Sequence, residues 1–92
     1  MTQLQETILQ LYIIGDTALS KKAIADVEKI VSEDLKDNCR LEIVDLLLNP
    51  EEAEKHNIIA TPTLINARPT PEKRIVGDLS NKEKVLTSLD LI

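Results

Sequence analysis

An α/β fold with the element order β-α-β-α-β-β-α is what the sequence predicts, and three observations carry it. An apolar run ending in Gly-Asp is followed by a long amphipathic helix pattern and then a second β-rich run. A helix-start signature comes next, leading into a β-prone segment that contains a proline. A short strand signal and a capping box close the chain. With 92 residues there is room for one compact domain spanning 1–92, since single cores form from roughly 50 to 200 residues.

Ile8 to Ile14 is rich in β-formers and stops at Gly15-Asp16, so it reads as a buried strand and a turn. From Leu19 to Leu35, Ala23, Ile24, Val27, Ile30, Val31 and Leu35 recur at helical spacing, with charged residues between them. Lys36-Asp37-Asn38 ends that helix, and Arg40 to Leu46 reads as the second strand. Strand, helix and strand together make a βαβ unit, which favours parallel pairing. Asn49-Pro50-Glu51-Glu52 predicts a short helix to His56, with Asn49 as N-cap and Pro50 at the first helical position. Ile58 to Ile65 is β-prone, but Pro62 removes a ladder donor, confines the segment to a strand start, edge or bulge, and makes a candidate cis peptide. Asn66 to Lys73 reads as a connection, Arg74 to Val76 as a short strand, and Ser80-Asn81-Lys82-Glu83 as a capping box. A last helix then carries Val85, Leu86, Leu89 and Ile92 at helical spacing.

Composition narrows the function. Eleven basic against sixteen acidic residues give a net charge of -5, which repels a nucleic-acid backbone. No stretch approaches the ~20 apolar residues that cross a bilayer, and Met1 to Glu6 lacks a signal peptide's pattern, so a cytoplasmic location is expected. Cys39 is the only cysteine, so one chain forms neither an internal disulfide, nor a C-x-x-C pair, nor a cysteine-based zinc cluster. Phosphate-cradling loops and H-E-x-x-H are absent from the sequence, and no cofactor is expected.

The element order, with Ala60-Thr61-Pro62-Thr63 entering the third strand, resembles the thioredoxin fold, whose proline at this point is commonly cis. Where a thioredoxin keeps its redox pair, between the first strand and helix, this chain has Gly15-Asp16-Thr17-Ala18-Leu19-Ser20. Four blocks resemble a narrower family, the circadian clock proteins KaiB. They are Leu11-Tyr12 with Gly15, Thr17 and Ser20; Ile43-Val44-Asp45 leading to Asn49-Pro50 and Ala53; Ile58 to Leu64; and Gly77-Asp78-Leu79-Ser80 with Glu83 to Leu86.

That resemblance implies a non-enzymatic protein that binds the ATPase KaiC, sequesters KaiA and competes with the KaiB-like sensor domain of a histidine kinase. It also implies two folds: a thioredoxin-like, partner-binding state, and a ground state that rearranges the C-terminal half and assembles into tetramers; a homo-oligomer, dimer or tetramer, is expected for that ground state. Pro62, Pro69, Pro71, Ser88 and Asp90 are the positions expected to bear on that choice. The chain departs from the clock-type pattern at Ala18, where Pro is usual, at Pro69-Thr70-Pro71, where prolines cluster, at Ser88, where Gly is usual, and at Asn57, where a basic residue is frequent.

Individual residues each carry a functional and a plain reading. Thr61, Pro62 and Thr63 are candidates for partner contact by strand addition, and equally for fold geometry. Lys21, Lys22, Lys73 and Arg74 are expected to offer a basic surface to an acidic partner, or else to be a solvated face. Cys39, with Arg40 beside it, is either a reactive thiol or a plain one at a strand start. His56 is a base or pH sensor, or a favourable charge at a helix C-terminus. Asp16 and Asp45 form a carboxylate pair or serve as turn residues, and Asp78 is first a turn residue. Asp90 is placed in the last helical turn, where the dipole disfavours an acid. Tyr12 packs, or reaches a hydroxyl partner. A protein-binding adaptor is the expected function, with a single-cysteine redox protein and a kinase-linked sensory domain as alternatives.

Overall fold

The computed structural model describes residues 6–69 and 71–92, with Asp37 described by its backbone alone. The expectations for Met1 to Gln5 and for Thr70 lie outside the described residues. Among the described residues, three helices flank a four-stranded sheet: β1 (Thr7–Ile13), α1 (Ala18–Ile30), β2 (Cys39–Asp45), α2 (Glu51–Lys55), β3 (Thr63–Asn66), β4 (Lys73–Val76) and α3 (Lys82–Ser88). The order across the sheet is β2-β1-β3-β4, with β1 parallel to β2 and antiparallel to β3, and β3 antiparallel to β4. This is the expected β-α-β-α-β-β-α order.

Period-two alternation in β1 feeds two cores. Leu9, Leu11 and Ile13 face α1 and α3, where Ala23, Val27 and Ile30 of α1 meet Val85, Leu86 and Leu89. Tyr12 faces the other way, into a smaller cluster with Leu46, Ile58 and Ile65 that α2 covers through Ala53. The aliphatic composition therefore suffices, because a central strand shares its two faces between two thin layers. Tyr12 is fully buried, its ring 5.7 Å from that of His56, and its hydroxyl meets no hydrogen-bond partner among the described residues. Burial first, and then the nearby Glu52 carboxylate, pushes that phenol's pKa up.

The structure corrects several boundaries. The first helix is α-helical only to Ile30; a π turn at Val31–Leu35 and a 3-10 turn at Lys36–Asn38 complete it. Residues 58–62 are not strand. Pro62 has no N–H to give a ladder, the Thr61-Pro62 peptide is cis, and Ile58 instead donates its N–H to Ala53 O at 2.8 Å and fills the Tyr12 core. Pairing begins at Thr63, and Asn66 and Lys73, expected in the connection, are paired strand residues.

Two caps are reassigned. Pro50 holds the N-cap position of α2 without a side-chain cap bond, while Asn49 Nδ2 lies 3.4 Å from Asp45 O. At α3, Asn81 rather than Ser80 is the cap: its Oδ1 accepts from Lys84 N–H, while Ser80 binds the Asp78 carboxylate.

Asp90 and Ile92 also depart from expectation. The helix ends at Ser88, Ile92 is exposed, and Asp90 lies beyond the helix at φ 59. Asp90 N–H donates to Thr87 O at 3.2 Å and Leu91 N–H to Leu86 O at 2.8 Å, the paired bonds of a Schellman motif. A β-carbon is disfavoured at such a left-handed residue, though Asp tolerates it better than most. The buried Asn66 completes this end by donating from Nδ2 to Leu89 O at 2.8 Å.

Asp90→Gly is expected to stabilise the fold by about 1 kcal/mol, through relief of the left-handed residue and of the dipole clash. Asp90→Val is expected to destabilise it. Urea midpoints measure both, and a tolerated Val contradicts the assignment.

Candidate partner-binding site

The rim at the C-terminal ends of β1 and β2 brings together the features that the sequence marked at Gly15 to Ser20 and Thr61 to Thr63. The chain leaves β1 through Gly15 at φ 69, where a β-carbon would sit 2.8 Å from Leu47 Cδ1. Asp45, at the end of β2, holds that turn in place. Its Oδ1 accepts from Gly15 N–H and from Leu47 N–H, both at 2.9 Å. Asp45 is thus a turn-building acid and makes no carboxylate pair with Asp16, whose partner is Lys21 at 3.7 Å.

Thr17 caps α1: its Oγ1 accepts from Ser20 N–H at 3.1 Å. It also donates to Ser20 Oγ, which donates onward to Ile14 O at 3.2 Å. Two hydroxyls therefore occupy the place of a dithiol, each engaged in local structure. Opposite them, cis Thr61-Pro62 turns the chain into β3, fixed by a Thr63 Oγ1 to Ala60 O bond at 2.6 Å and a Gly77 N–H to Pro62 O bond at 2.9 Å. Between the two walls lies a cavity of about 190 Å3, lined by Ile13, Ile14, Thr17, Leu19, Ser20, Thr61 and Pro62.

Around that cavity the rim is apolar and uncovered. Ile59 is 94% exposed, Leu48 78%, Leu47 66%, Leu19 58% and Ile14 46%. Sequence reasoning missed all five as site residues: it placed Ile14, Leu19 and Ile59 inside regular elements and left Leu47 and Leu48 between the second strand and the next helix without a role. Their clustering depends on three loops ending at one edge.

The basic candidates do not form one patch. Lys21 and Lys22 are on the first turns of α1, by the rim, with Lys22 bound to Asp26 at 2.9 Å and near Asp78 at 3.9 Å. Lys73 pairs with Asn66 at the far end of the sheet. Arg74 spends its guanidinium on the end of α2, donating to His56 O at 3.0 Å and Asn57 O at 3.2 Å, which satisfies carbonyls that the helix leaves open. Pro69 and Pro71 lie between β3 and β4, and Ser88 is the last residue of α3, all away from the rim.

The other titratable candidates lie elsewhere. Cys39 starts β2, and burial, followed by the Glu6 carboxylate, pushes its thiol up, away from thiolate reactivity. Arg40 beside it is turned to Glu42 at 3.6 Å. His56 ends α2, with Nε2 3.4 Å from Glu52. Asp78 accepts from Ser80 Oγ and N–H, which holds its carboxyl below the usual aspartate range. Among the described residues, no three His, Cys, Asp or Glu side chains come together as a metal site, and no helix is long and apolar enough to cross a membrane.

Fold and site define a thioredoxin-like domain without a redox pair. Its backbone superposes on the N-terminal domain of Synechococcus elongatus SasA with a TM-score of 0.77 at 20% identity, covering 100% of this chain and 90% of that one. Mitochondrial thioredoxin 3 of Saccharomyces cerevisiae gives 0.73 at 13% identity, covering 96% and 80%. The KaiB domain model matches residues 10–91. Circadian clock protein KaiB3 of Synechocystis sp. is 48% identical over 85 residues, covering 92% of this chain and 83% of its own length. The circadian clock oscillator protein KaiB of Thermostichus vulcanus is 44% identical over 93 residues, covering 100% and 86%. The chain belongs to the KaiB family.

Gly15→Ala is expected to cost about 1–2 kcal/mol, since the methyl adds left-handed strain and displaces Leu47. Chemical denaturation measures it, and an unchanged midpoint contradicts the described turn.

Proposed function

We propose that the chain is a non-catalytic, cytoplasmic clock adaptor that binds a KaiC-type ATPase through the rim around Thr61-Pro62. A KaiA-like protein and a histidine kinase are further partners in this reading, and the rearranged ground state self-associates as a dimer or tetramer. One observation carries it: an uncovered apolar rim surrounds the place where thioredoxins keep their chemistry, and the hydroxyls there are committed to the fold. Apolar side chains left in water at the mouth of a groove favour a partner that buries them. Family membership says which partner to try first.

Lys21 and Lys22 lie beside the groove, paired with Asp16 and Asp26, and in this reading exchange those carboxylates for acidic residues on that partner. A single-thiol redox role is the weaker reading, because Cys39 is remote from the groove and its thiol is pushed up. Pro62, Pro69, Pro71, Ser88 and Asp90 are proposed to weight the choice between the thioredoxin-like arrangement and a rearranged C-terminal half. Of these, Asp90 in its left-handed cap is where the present arrangement carries backbone cost.

Prolonged incubation with the cognate KaiC-type ATPase and ATP, read by native mass spectrometry, is expected to give a stable complex. Ile59→Ser is expected to weaken that complex about tenfold, as loss of one buried aliphatic contact does, with an unchanged unfolding midpoint. Absence of a complex sinks the adaptor reading, and a complex indifferent to Ile59→Ser sinks the rim.

A further inference from the structure

We propose that the stretch from Glu51 to Ile59 is a flap over Tyr12, latched shut by Arg74, and that the latch positions Ile59 for the partner. This deepens the rim reading above and rests on it. The flap is thinly held. Its helix, α2, has five residues, no side-chain bond at its N-cap and no buried residue, and so short a helix has little stability of its own. Its apolar anchors are the partly covered Ala53 and the buried Ile58, both packed in the Tyr12 cluster. Among the described residues, the hydrogen bonds that tie this stretch to the sheet are the two from Arg74, to His56 O at 3.0 Å and to Asn57 O at 3.2 Å.

Two features oppose closure. The Tyr12 hydroxyl is buried without a hydrogen-bond partner among the described residues, and opening the flap returns it to water. Asn57 is held at φ 55, where a β-carbon is disfavoured. Arg74 works against both, because its planar fork spans two successive carbonyls. Directly after the latched Asn57 come Ile58, in the core, and Ile59, on the rim and 94% exposed. On the other side of Ile59, Ala60 O accepts from Thr63 Oγ1. Closure therefore fixes Ile59 from both sides, and opening releases it. The Arg74 guanidinium is otherwise engaged with Glu72 at 3.3 Å, within the chain. Arg74 is thus a positioning residue that acts on the partner through Ile59, and affinity follows the closed fraction.

Hydrogen exchange on the full chain, followed by native mass spectrometry with the KaiC-type ATPase and ATP, tests this. Opening melts α2 and frees the Ile58 N–H from Ala53 O. That amide is expected to exchange at least about tenfold faster than the Val27 amide of α1, which waits for wider unfolding. Tyr12→Phe, which lacks the orphan hydroxyl, is expected to slow Ile58 exchange about tenfold. Arg74→Glu is expected to open the flap in most molecules, remove the protection of Ile58 and weaken the complex about tenfold. Adding Tyr12→Phe to Arg74→Glu is expected to recover protection and affinity together; Tyr12 is fully buried, so that recovery comes from closure and not from partner contact. Ile58 exchange no faster than that of Val27, or indifferent to either substitution, overturns the flap. An open flap with full affinity, or protection that returns without affinity in the double variant, overturns the positioning. A missing complex with the unaltered chain removes the adaptor reading and the positioning with it, while the exchange results still decide the flap.

Discussion

The carboxylate of Asp45 is the constraint on which the working end of the molecule depends. By accepting from Gly15 N–H and Leu47 N–H, it ties the turn after β1 to the turn after β2. Those turns leave the one parallel strand pair among the described residues, so the entry to α1 and the approach to α2 are set by one side chain. Gly15 lies so close to Leu47 that no larger residue fits without a shift. The groove, the cap of α1 and the exposure of Leu47 and Leu48 all follow from that closure.

The rim also shows what a thioredoxin-like end becomes when its chemistry is absent. A reactive thiol at a helix N-terminus needs a free side chain directed outward. Thr17 and Ser20 instead direct theirs inward, satisfying a helix N–H and the Ile14 carbonyl. One open N-terminal donor of α1, the Ser20 N–H, is thereby used for stability. What remains exposed is aliphatic surface, whose free energy is gained only when another molecule covers it.

Much of this was legible in the sequence, for identifiable reasons. Element order was legible because β1 is an apolar run rich in β-formers and α1 keeps one apolar face; that the two faces of β1 feed separate cores was not, since a continuous apolar run does not say which side each residue faces. The missing redox pair needed only a cysteine count. The start of β3 was misplaced because Ile58-Ile59-Ala60 has β-prone composition. A cis bond and a hydrogen bond back to Ala53 send that stretch across the rim instead. Asp90 was misread because a left-handed terminator is normally signalled by Gly, and Asp gives no such signal. Arg74 looked like surface charge, since its acceptors are backbone carbonyls of a helix seventeen or more residues away. The apolar rim could not be read linearly, because its members come from separate loops that meet only after folding.

The central claim is that this rim, and not a thiol, is where the protein acts. Amide protection mapped by hydrogen exchange, with and without a KaiC-type ATPase under ATP, tests it most directly. The account predicts slowed exchange from Ile14 to Leu19, at Leu47 and Leu48, and from Ile59 to Thr61, with the Cys39 end of β2 unchanged. Protection confined to the Cys39 end or to the far edge at Lys73, with these three loops unaffected, would contradict it.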